Sequence, residues 1–220
     1  MTIRGHLLVA LLFACASFSP GTAWANVSIP VNNPSFETLP SGGLNLVTNS
    51  YGAYNYGSIP DWMLITGNAG EWAPTGGIFT DPIPNGSNVA FSNGGTISQT
   101  VAATVNTGVT YTLSVYVGSR LDGYSGGYTD AVELLIGGTP YYATGSEPNP
   151  GDWSLWTATY TGTGTDAGKS ITIELNPSPS EPQSDFDKVS LSATPEPGFY
   201  GALALGMSGL LLAIQRRRRA

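Results

Sequence analysis

The chain has 220 residues, with 8 Lys and Arg against 15 Asp and Glu, and a formal net charge of −7. Of its basic residues only Arg120, Lys169 and Lys188 lie within residues 26–194, beside fourteen acidic residues, so this segment carries a charge of −11. Such an acidic surface repels phosphate backbones, and the composition therefore argues against nucleic-acid binding.

Residues 1–25 have the pattern of a signal peptide. Arg4 precedes the apolar stretch "LLVALLFACASF", and small residues flank Trp24 before a predicted cleavage between Ala25 and Asn26. An alternative interpretation makes Cys15 the lipidated residue of a lipoprotein box. Cleavage at Asn26 removes the chain's one Cys and one His, which excludes thiolate nucleophiles, Ser-His-Asp triads and ordinary zinc sites.

Residues 26–194 are predicted to form one all-β domain. Apolar and polar residues alternate in "TYTLSVYV" (110–117) and "SITIEL" (170–175), which is typical of half-buried strands, and no helical periodicity is present. The other predicted strands cover 27–31, 62–66, 88–91, 96–101, 131–136, 154–161 and 186–191. Nine short strands separated by turn residues favour an antiparallel β-sandwich.

Several phrases of this domain resemble carbohydrate-binding, galactose-binding-like jelly rolls: "NPSFE", "IPDW", "ISQTV", "TYTLSVYVG", "WSLWTATYTG" and "FDKVSL". The resemblance implies a structural calcium ion (Ca2+) shared by Glu37 and Asp187. Strand parity offers separate support, because Asp187 shares a sheet face with Val189 and Leu191 and a carboxylate on a core face needs a cation or N–H donors. The alternative is that Asp187 caps a turn at the wet end of its strand.

Aromatic residues in three loops are candidates for a ligand-binding surface. Sugars stack their C–H faces on aromatic rings and bond their hydroxyls to planar polar groups. The predicted ligand-binding residues combine both kinds of side chain: Arg120, Asp122, Tyr124, Tyr128, Tyr54 and Trp72. The alternative for the 119–130 loop is a surface hairpin in which Arg120 pairs with a nearby aspartate.

The C-terminal residues 195–220 are similar to a PEP-CTERM sorting signal. Pro195, Glu196 and Pro197 precede an apolar run at 199–214, which four arginines follow: Arg216, Arg217, Arg218 and Arg219. A sixteen-residue helix reaches about 24 Å, short of a hydrocarbon core of about 30 Å, and the arginines would hold its end in the cytoplasm. The resemblance implies a temporary transmembrane helix, an exosortase-type membrane protease as partner, and delivery to the surface or matrix of a Gram-negative bacterium.

These patterns predict a non-catalytic, exported surface or exopolysaccharide-matrix protein, with glycan or polysaccharide as its candidate ligand. One alternative is a structural or adhesive matrix protein without a small ligand. Another is a glycoside hydrolase using two carboxylates, since carboxylate chemistry needs neither His nor Cys. Fourteen acids make some suitable pair almost inevitable, so this signal is uninformative, and no catalytic residue is predicted.

Overall fold

The computed structural model describes residues 26–48, 50–126, 128–175 and 182–196, together with Ile214 and Arg217. Eleven strands form in these ranges, and every strand pair is antiparallel. The strands are β1 (Val27–Ile29), β2 (Leu46–Thr48), β3 (Gly52–Tyr56), β4 (Met63–Pro74), β5 (Val89–Thr104), β6 (Val109–Gly118), β7 (Val132–Ile136), β8 (Thr139–Tyr142), β9 (Trp153–Thr161), β10 (Ser170–Leu175) and β11 (Ser184–Pro195). The predicted all-β antiparallel class is confirmed.

The strands make two arrays that meet along one seam. The first array runs β2-β3-β4-β5-β10-β7-β8, and the second consists of β1, β11, β6 and β9 in that pairing order. The arrays are joined where Asp185 and Phe186 of β11 pair with Phe91 and Ala90 of β5. Because this pairing joins β5 of the first array to β11 of the second, residues at the seam have fixed positions relative to both arrays.

The core consists of the apolar side chains that alternate with polar ones along the strands. In β6 the side chains of Tyr111, Leu113, Val115 and Val117 are all buried, while the residues between them are partly exposed. The inward residues of β10, which are Ile171, Ile173 and Leu175, have no exposed surface. Each such side chain contributes roughly 1.5–3 kcal/mol of burial free energy, so burial of these alternating apolar residues is the main source of stability.

A second, smaller apolar cluster lies on the opposite side of β5. Ala90 belongs to the main core, whereas its neighbours Val89 and Phe91 pack with Trp72 and Ile78 in this second cluster. Successive residues of one strand necessarily face opposite sides of a sheet. Strand β5 therefore has two apolar faces, and the second one lies beside the candidate site.

Strands β2, β3 and β8 were not predicted, and β4, β5 and β11 are much longer than predicted. The predicted segments 88–91 and 96–101 are parts of the single strand β5, whose pairing with β4 is irregular at Asn93 and Gly94. Gly94 has a positive φ of 81°, a conformation that glycine adopts without strain, so the strand continues through a stretch that reads as a turn.

The predicted signal segment 1–25 lies outside the described residues, as does the predicted transmembrane segment 199–214 apart from Ile214. Among the helical residues that the structure describes, no helix has the length and apolar character needed to cross a membrane. Pro195 and Glu196, the first two residues of the predicted sorting signal, bond to the segment at the start of β6. Pro195 pairs with Val109, and the Glu196 N–H donates to the Gly108 carbonyl oxygen at 2.7 Å.

Candidate functional site

An open cavity of about 520 Å³ lies at one end of the β5–β11 seam. Strands β3, β4 and β5 supply one wall, and the segments that follow β6 and precede β11 supply the other. The lining residues are Tyr51, Tyr54, Tyr56, Trp72, Phe91, Asn93, Arg120, Asp122, Tyr124 and Gln183. Six of these ten side chains are aromatic, so the cavity suits a largely apolar small molecule.

The aromatic wall is held by ring contacts and by one short hydrogen bond. Tyr54, Tyr56 and Phe91 pack edge to face with ring centroids 5.3–6.2 Å apart. The Trp72 indole N–H donates to the Tyr51 carbonyl oxygen at 2.6 Å. Since edge-to-face packing and a bonded indole restrict ring rotation, this wall has a defined shape before any ligand binds.

Arg120 closes the opposite side and is almost completely buried. Its guanidinium carbon lies 5.0 Å from the ring centroid of Tyr51 and 5.1 Å from that of Trp72. Nε donates to Asp122 Oδ1 at 3.1 Å while Nη2 bonds Oδ2, and Nη1 donates to Gln183 Oε1 at 3.2 Å. The positive charge is thus paired within the site, and Arg120 acts as a rigid polar wall rather than a free anion receptor.

A fully buried carboxyl group lies directly behind Gln183. Gln183 Nε2 donates to Asp185 Oδ1 at 2.6 Å, whereas Asp185 Oδ2 is buried without a hydrogen-bond partner. Burial raises the pKa of Asp185 to about 7, against the lowering effects of the Gln183 hydrogen bond and the Arg120 charge, and Asp122 raises it further. Asp185 is one hydrogen bond away from the cavity lining.

Five of the six predicted ligand-binding residues come together at this cavity: Tyr54, Trp72, Arg120, Asp122 and Tyr124. Tyr128 does not line it, because its side chain is buried in the main core with 7% of its surface exposed. Arg120 pairs with Asp122, as the alternative supposed, but the pair is largely buried at the cavity and not on the surface.

Phe91, Asn93, Gln183 and Asp185 were missed. The predicted last strand began at Phe186, one residue too late to include Asp185. Strand parity gives part of the signal, since Gln183 and Asp185 share the parity of Asp187, and Asn93 that of Phe91. Parity does not give the β5–β11 pairing that brings these residues together.

Glu37 and Asp187 converge on the backbone of residues 85–88. Glu37 Oε1 accepts from the N–H groups of Ser87 at 2.7 Å and Asn88 at 2.8 Å. Asp187 Oδ2 accepts from the Asn85 N–H at 2.7 Å. Burial raises the pKa of Asp187 to about 7, the two backbone hydrogen bonds lower it, and the nearby Glu37 charge raises it. Asp187 is fully buried beside Glu37 and accepts backbone N–H groups, so it does not lie at the wet end of its strand as the alternative supposed.

Groups of three or more His, Cys, Asp or Glu side chains that could hold a metal are absent from the described part of the chain. A cation at Glu37 and Asp187 would need amide, backbone carbonyl or water oxygens to complete its shell. Asp187 accepts from the Asn85 N–H through Oδ2 and from the Lys188 N–H through Oδ1, and a carboxylate oxygen can bind a cation in addition to such a bond.

The fold and site define an antiparallel β-protein with an aromatic small-molecule cavity and a buried acid beside it. The HpiC1-like family profile, described as HpiC1 cyclase, matches residues 27–192. The chain belongs to this family. No curated protein sequence matches it.

Solved Stig cyclase structures from Fischerella sp. TAU have the same fold. FisC in complex with (3Z)-3-(1-methyl-2-pyrrolidinylidene)-3H-indole is 27% identical, with a TM-score of 0.60 over 78% of this chain and 100% of that one. A second cyclase is 25% identical with a TM-score of 0.60, covering 78% and 99%. A cyclase bound to 4-(1H-indol-3-yl)butan-2-one is 26% identical with a TM-score of 0.59, covering 77% and 98%.

The family membership corrects the predicted function. The prediction of a non-catalytic carbohydrate-binding or matrix protein is wrong, because the chain belongs to a family of cyclases. The absence of His and Cys was given too much weight, since an acid such as Asp185 can supply a proton without either residue.

The PEP-CTERM assignment, with its exosortase, polysaccharide and membrane partners, is also wrong. The family profile covers the domain that was assigned to a glycan module, and the homologous structures are cyclases that bind small molecules. Pro195 is the last residue of β11, and Glu196 bonds the Gly108 carbonyl oxygen, so the first two residues of the supposed motif are held against the sheet.

Proposed function

We propose that this protein is a cyclase that binds an apolar, indole-bearing small molecule in the aromatic cavity and closes a ring on it by acid catalysis. The observation that carries the proposal is the location of Asp185, a fully buried carboxyl group one hydrogen bond from the cavity lining. The family supports a cyclisation, and the indole ligands of its Fischerella relatives support the substrate class.

The proposed reaction needs no outside reactant. Asp185 Oδ2 donates its proton to a carbon–carbon double bond on the substrate side chain, which leaves a carbocation at the neighbouring carbon. The π electrons of the indole ring then form the new carbon–carbon bond, and loss of a ring proton to the Asp185 carboxylate restores aromaticity and the acid. The product is an isomer of the substrate. Because Gln183 covers Asp185, substrate binding displaces the Gln183 amide from Oδ1, and the carboxyl group then faces the cavity.

The aromatic wall has two functions in this proposal. Ring faces stabilise a nearby cation, and a desolvated site strengthens that attraction. Tyr54, Trp72 and Phe91 surround the space in which the carbocation forms, and they exclude water that would otherwise trap it as an alcohol. The predicted site residues Arg120, Asp122 and Tyr124 complete the opposite wall, and Tyr128 supports the site from the core.

The test is conversion of an indole whose side chain carries a double bond, followed by chromatography for a product of identical mass. Asp185→Asn keeps the volume and the Gln183 neighbour but has no acidic proton, so we expect the rate to fall at least about a hundredfold. Asp130→Asn is the matched control, because Asp130 is exposed and has a left-handed backbone (φ 57°) that Asn adopts readily. Equal rates for wild type and Asp185→Asn would contradict the proposal.

Calcium has a structural place in this proposal. Glu37 and Asp187 would hold Ca2+ against the 85–88 backbone, where the ion offsets the repulsion of two adjacent carboxylates. It supplies charge neutralisation and no step of the reaction. We also propose that the strands form a two-layered jelly-roll sandwich. On the sequence pattern alone, we propose that the protein is exported through the residue 1–25 signal, with cleavage between Ala25 and Asn26.

A further inference from the structure

Asn93 is the polar lining residue that the proposed reaction does not use. It lies two residues beyond Phe91 on β5 and lines the cavity. Its Nδ2 is 3.4 Å from the Tyr56 hydroxyl, a long hydrogen bond, and its Oδ1 is buried without a partner. A buried acceptor without a donor is costly, so such an atom at a binding site requires an explanation.

The irregularity in β5 determines the position of this side chain. Asn93 and Gly94 both pair with Asn68, which marks a β-bulge, and Gly94 has a positive φ of 81°. The Ser92 hydroxyl donates to the Gly95 carbonyl oxygen at 2.6 Å and accepts from the Gly95 N–H at 2.7 Å, which fixes the bulge. Bulges beside active sites commonly redirect a side chain, and this one holds Asn93 at the cavity.

The other polar side chains of the cavity already satisfy one another. Arg120 donates to Asp122 and to Gln183 Oε1, and Gln183 Nε2 donates to Asp185 Oδ1. Among the lining side chains, Asn93 therefore offers the buried acceptor that has no partner in the protein. A donor group on a ligand that reached Asn93 Oδ1 would supply the hydrogen bond that this buried atom lacks.

We infer that Asn93 is a specificity-determining residue whose Oδ1 accepts a hydrogen bond from an N–H group on the substrate, and that the cavity selects substrates bearing this donor. The inference rests on the proposed function and deepens it. An otherwise aromatic, apolar molecule with one N–H fits a cavity with an aromatic wall and a single open acceptor. An analogue lacking the donor leaves Oδ1 buried and unpaired, which lowers its affinity.

The test compares two probes by titration calorimetry on the full chain: 4-(1H-indol-3-yl)butan-2-one and the same compound methylated on the indole nitrogen. We expect the wild type to bind the N–H compound at least about tenfold more tightly. Asn93→Leu has nearly the same volume and no acceptor, so it should bind both probes equally. Asn93→Asp retains acceptor oxygens and should retain the preference, which identifies oxygen rather than nitrogen as the atom used.

Asn106→Leu is the matched control, because it makes the same asparagine-to-leucine change at an exposed residue that does not line the cavity. It should preserve the ratio of the two affinities. If Asn93→Leu still preferred the N–H probe, the methyl group on the indole nitrogen would merely clash with the cavity, and the inference would be overturned. Equal binding of the two probes by wild type would also overturn it. Neither result affects the Asp185 test. Failure of wild type to bind either probe would overturn this inference and the indole substrate class together.

Discussion

At the scale of single residues, the molecule contains buried carboxyl groups that lack basic partners. Glu71 is 1% exposed, and its Oε2 has no hydrogen-bond partner. Burial raises the pKa of Glu71 to about 7, the Asn33 hydrogen bond lowers it, and the Glu37 charge raises it. A group of this kind is accommodated as the neutral acid, and ionisation in the folded protein is unfavourable.

Glu71 should therefore make the protein less stable as pH rises. The folded pKa of about 7 lies above the ordinary value of 4.5, so between these pH values the folded state retains a proton that the unfolded state has lost. The free energy of unfolding falls through this window by up to about 1.4 kcal/mol per pH unit from this group. Glu71→Gln should give a shallower slope from pH 5 to pH 7 in urea titrations with chelator present.

Gln at position 71 retains an acceptor for the Asn33 amide, so the variant tests the titrating proton and leaves that contact in place. Asp130→Asn, at an exposed acid, should leave the slope unchanged. A slope in Glu71→Gln identical to that of wild type would mean that Glu71 ionises equally easily in both states.

At the scale of elements, the 85–88 segment links the start of the chain to its last described strand. Glu37 follows β1 and Asp187 belongs to β11, and both carboxylates bind the same short stretch of backbone. Gly86 is necessary for this approach, because a Cβ there would lie 2.2 Å from Glu37 Oε1. Three segments distant in sequence are thereby held by two side chains.

Removal of calcium tests this element directly. With Ca2+ bound only in the folded state, chelator should lower the melting temperature of wild type. Glu37→Gln should melt at the same temperature with and without chelator, since it removes one of the two proposed ligands. The control is Asp130→Asn, which should respond like wild type. A wild-type midpoint that does not move with chelator would remove the calcium proposal and leave the N–H contacts as the whole function of the pair.

The elements also show which parts of the fold were predictable. Strands β6 and β10 follow the alternation of apolar residues because each has one face in the core. Strand β3 has no such pattern, since its tyrosines face the cavity instead of the main core. Asn93, Gln183 and Asp185 form a site through pairing across strands, and this depends on registers that one sequence does not specify. Pro195 and Glu196 were assigned to a sorting signal because their pairing with the segment at the start of β6 likewise does not follow from one sequence.

At the scale of the whole molecule, acidic charge is poorly compensated. Residues 26–194 hold fourteen acidic and three basic residues, and two ion pairs form in the described part of the chain, Arg120–Asp122 and Lys169–Asp166. Like charges on one compact body repel, and salt screens that repulsion over about 10 Å at 0.1 M ionic strength. Salt also screens the attraction within ion pairs, but only these two pairs are present in the described residues.

We therefore expect the melting temperature to rise when sodium chloride is increased from about 0.01 M to about 0.15 M. The measurement should be made in chelator, so that salt does not compete with calcium. Potassium chloride should give the same shift, because screening depends on ionic strength and not on the identity of the cation. A fall in melting temperature with added salt would show that favourable ion pairs outweigh the repulsion.

Strand β5 contributes to the main core with one face and to the cavity with the other. Ala90 is fixed by the packing of the main core, while Phe91 and Asn93 border the cavity and the proposed contact with substrate. Exchange of the cavity-facing residues alters which molecules are accepted while the inward residue, and with it the fold, stays the same. Combinatorial libraries restricted to those outward positions should therefore yield folded proteins with new selectivity far more often than libraries spread over the whole strand.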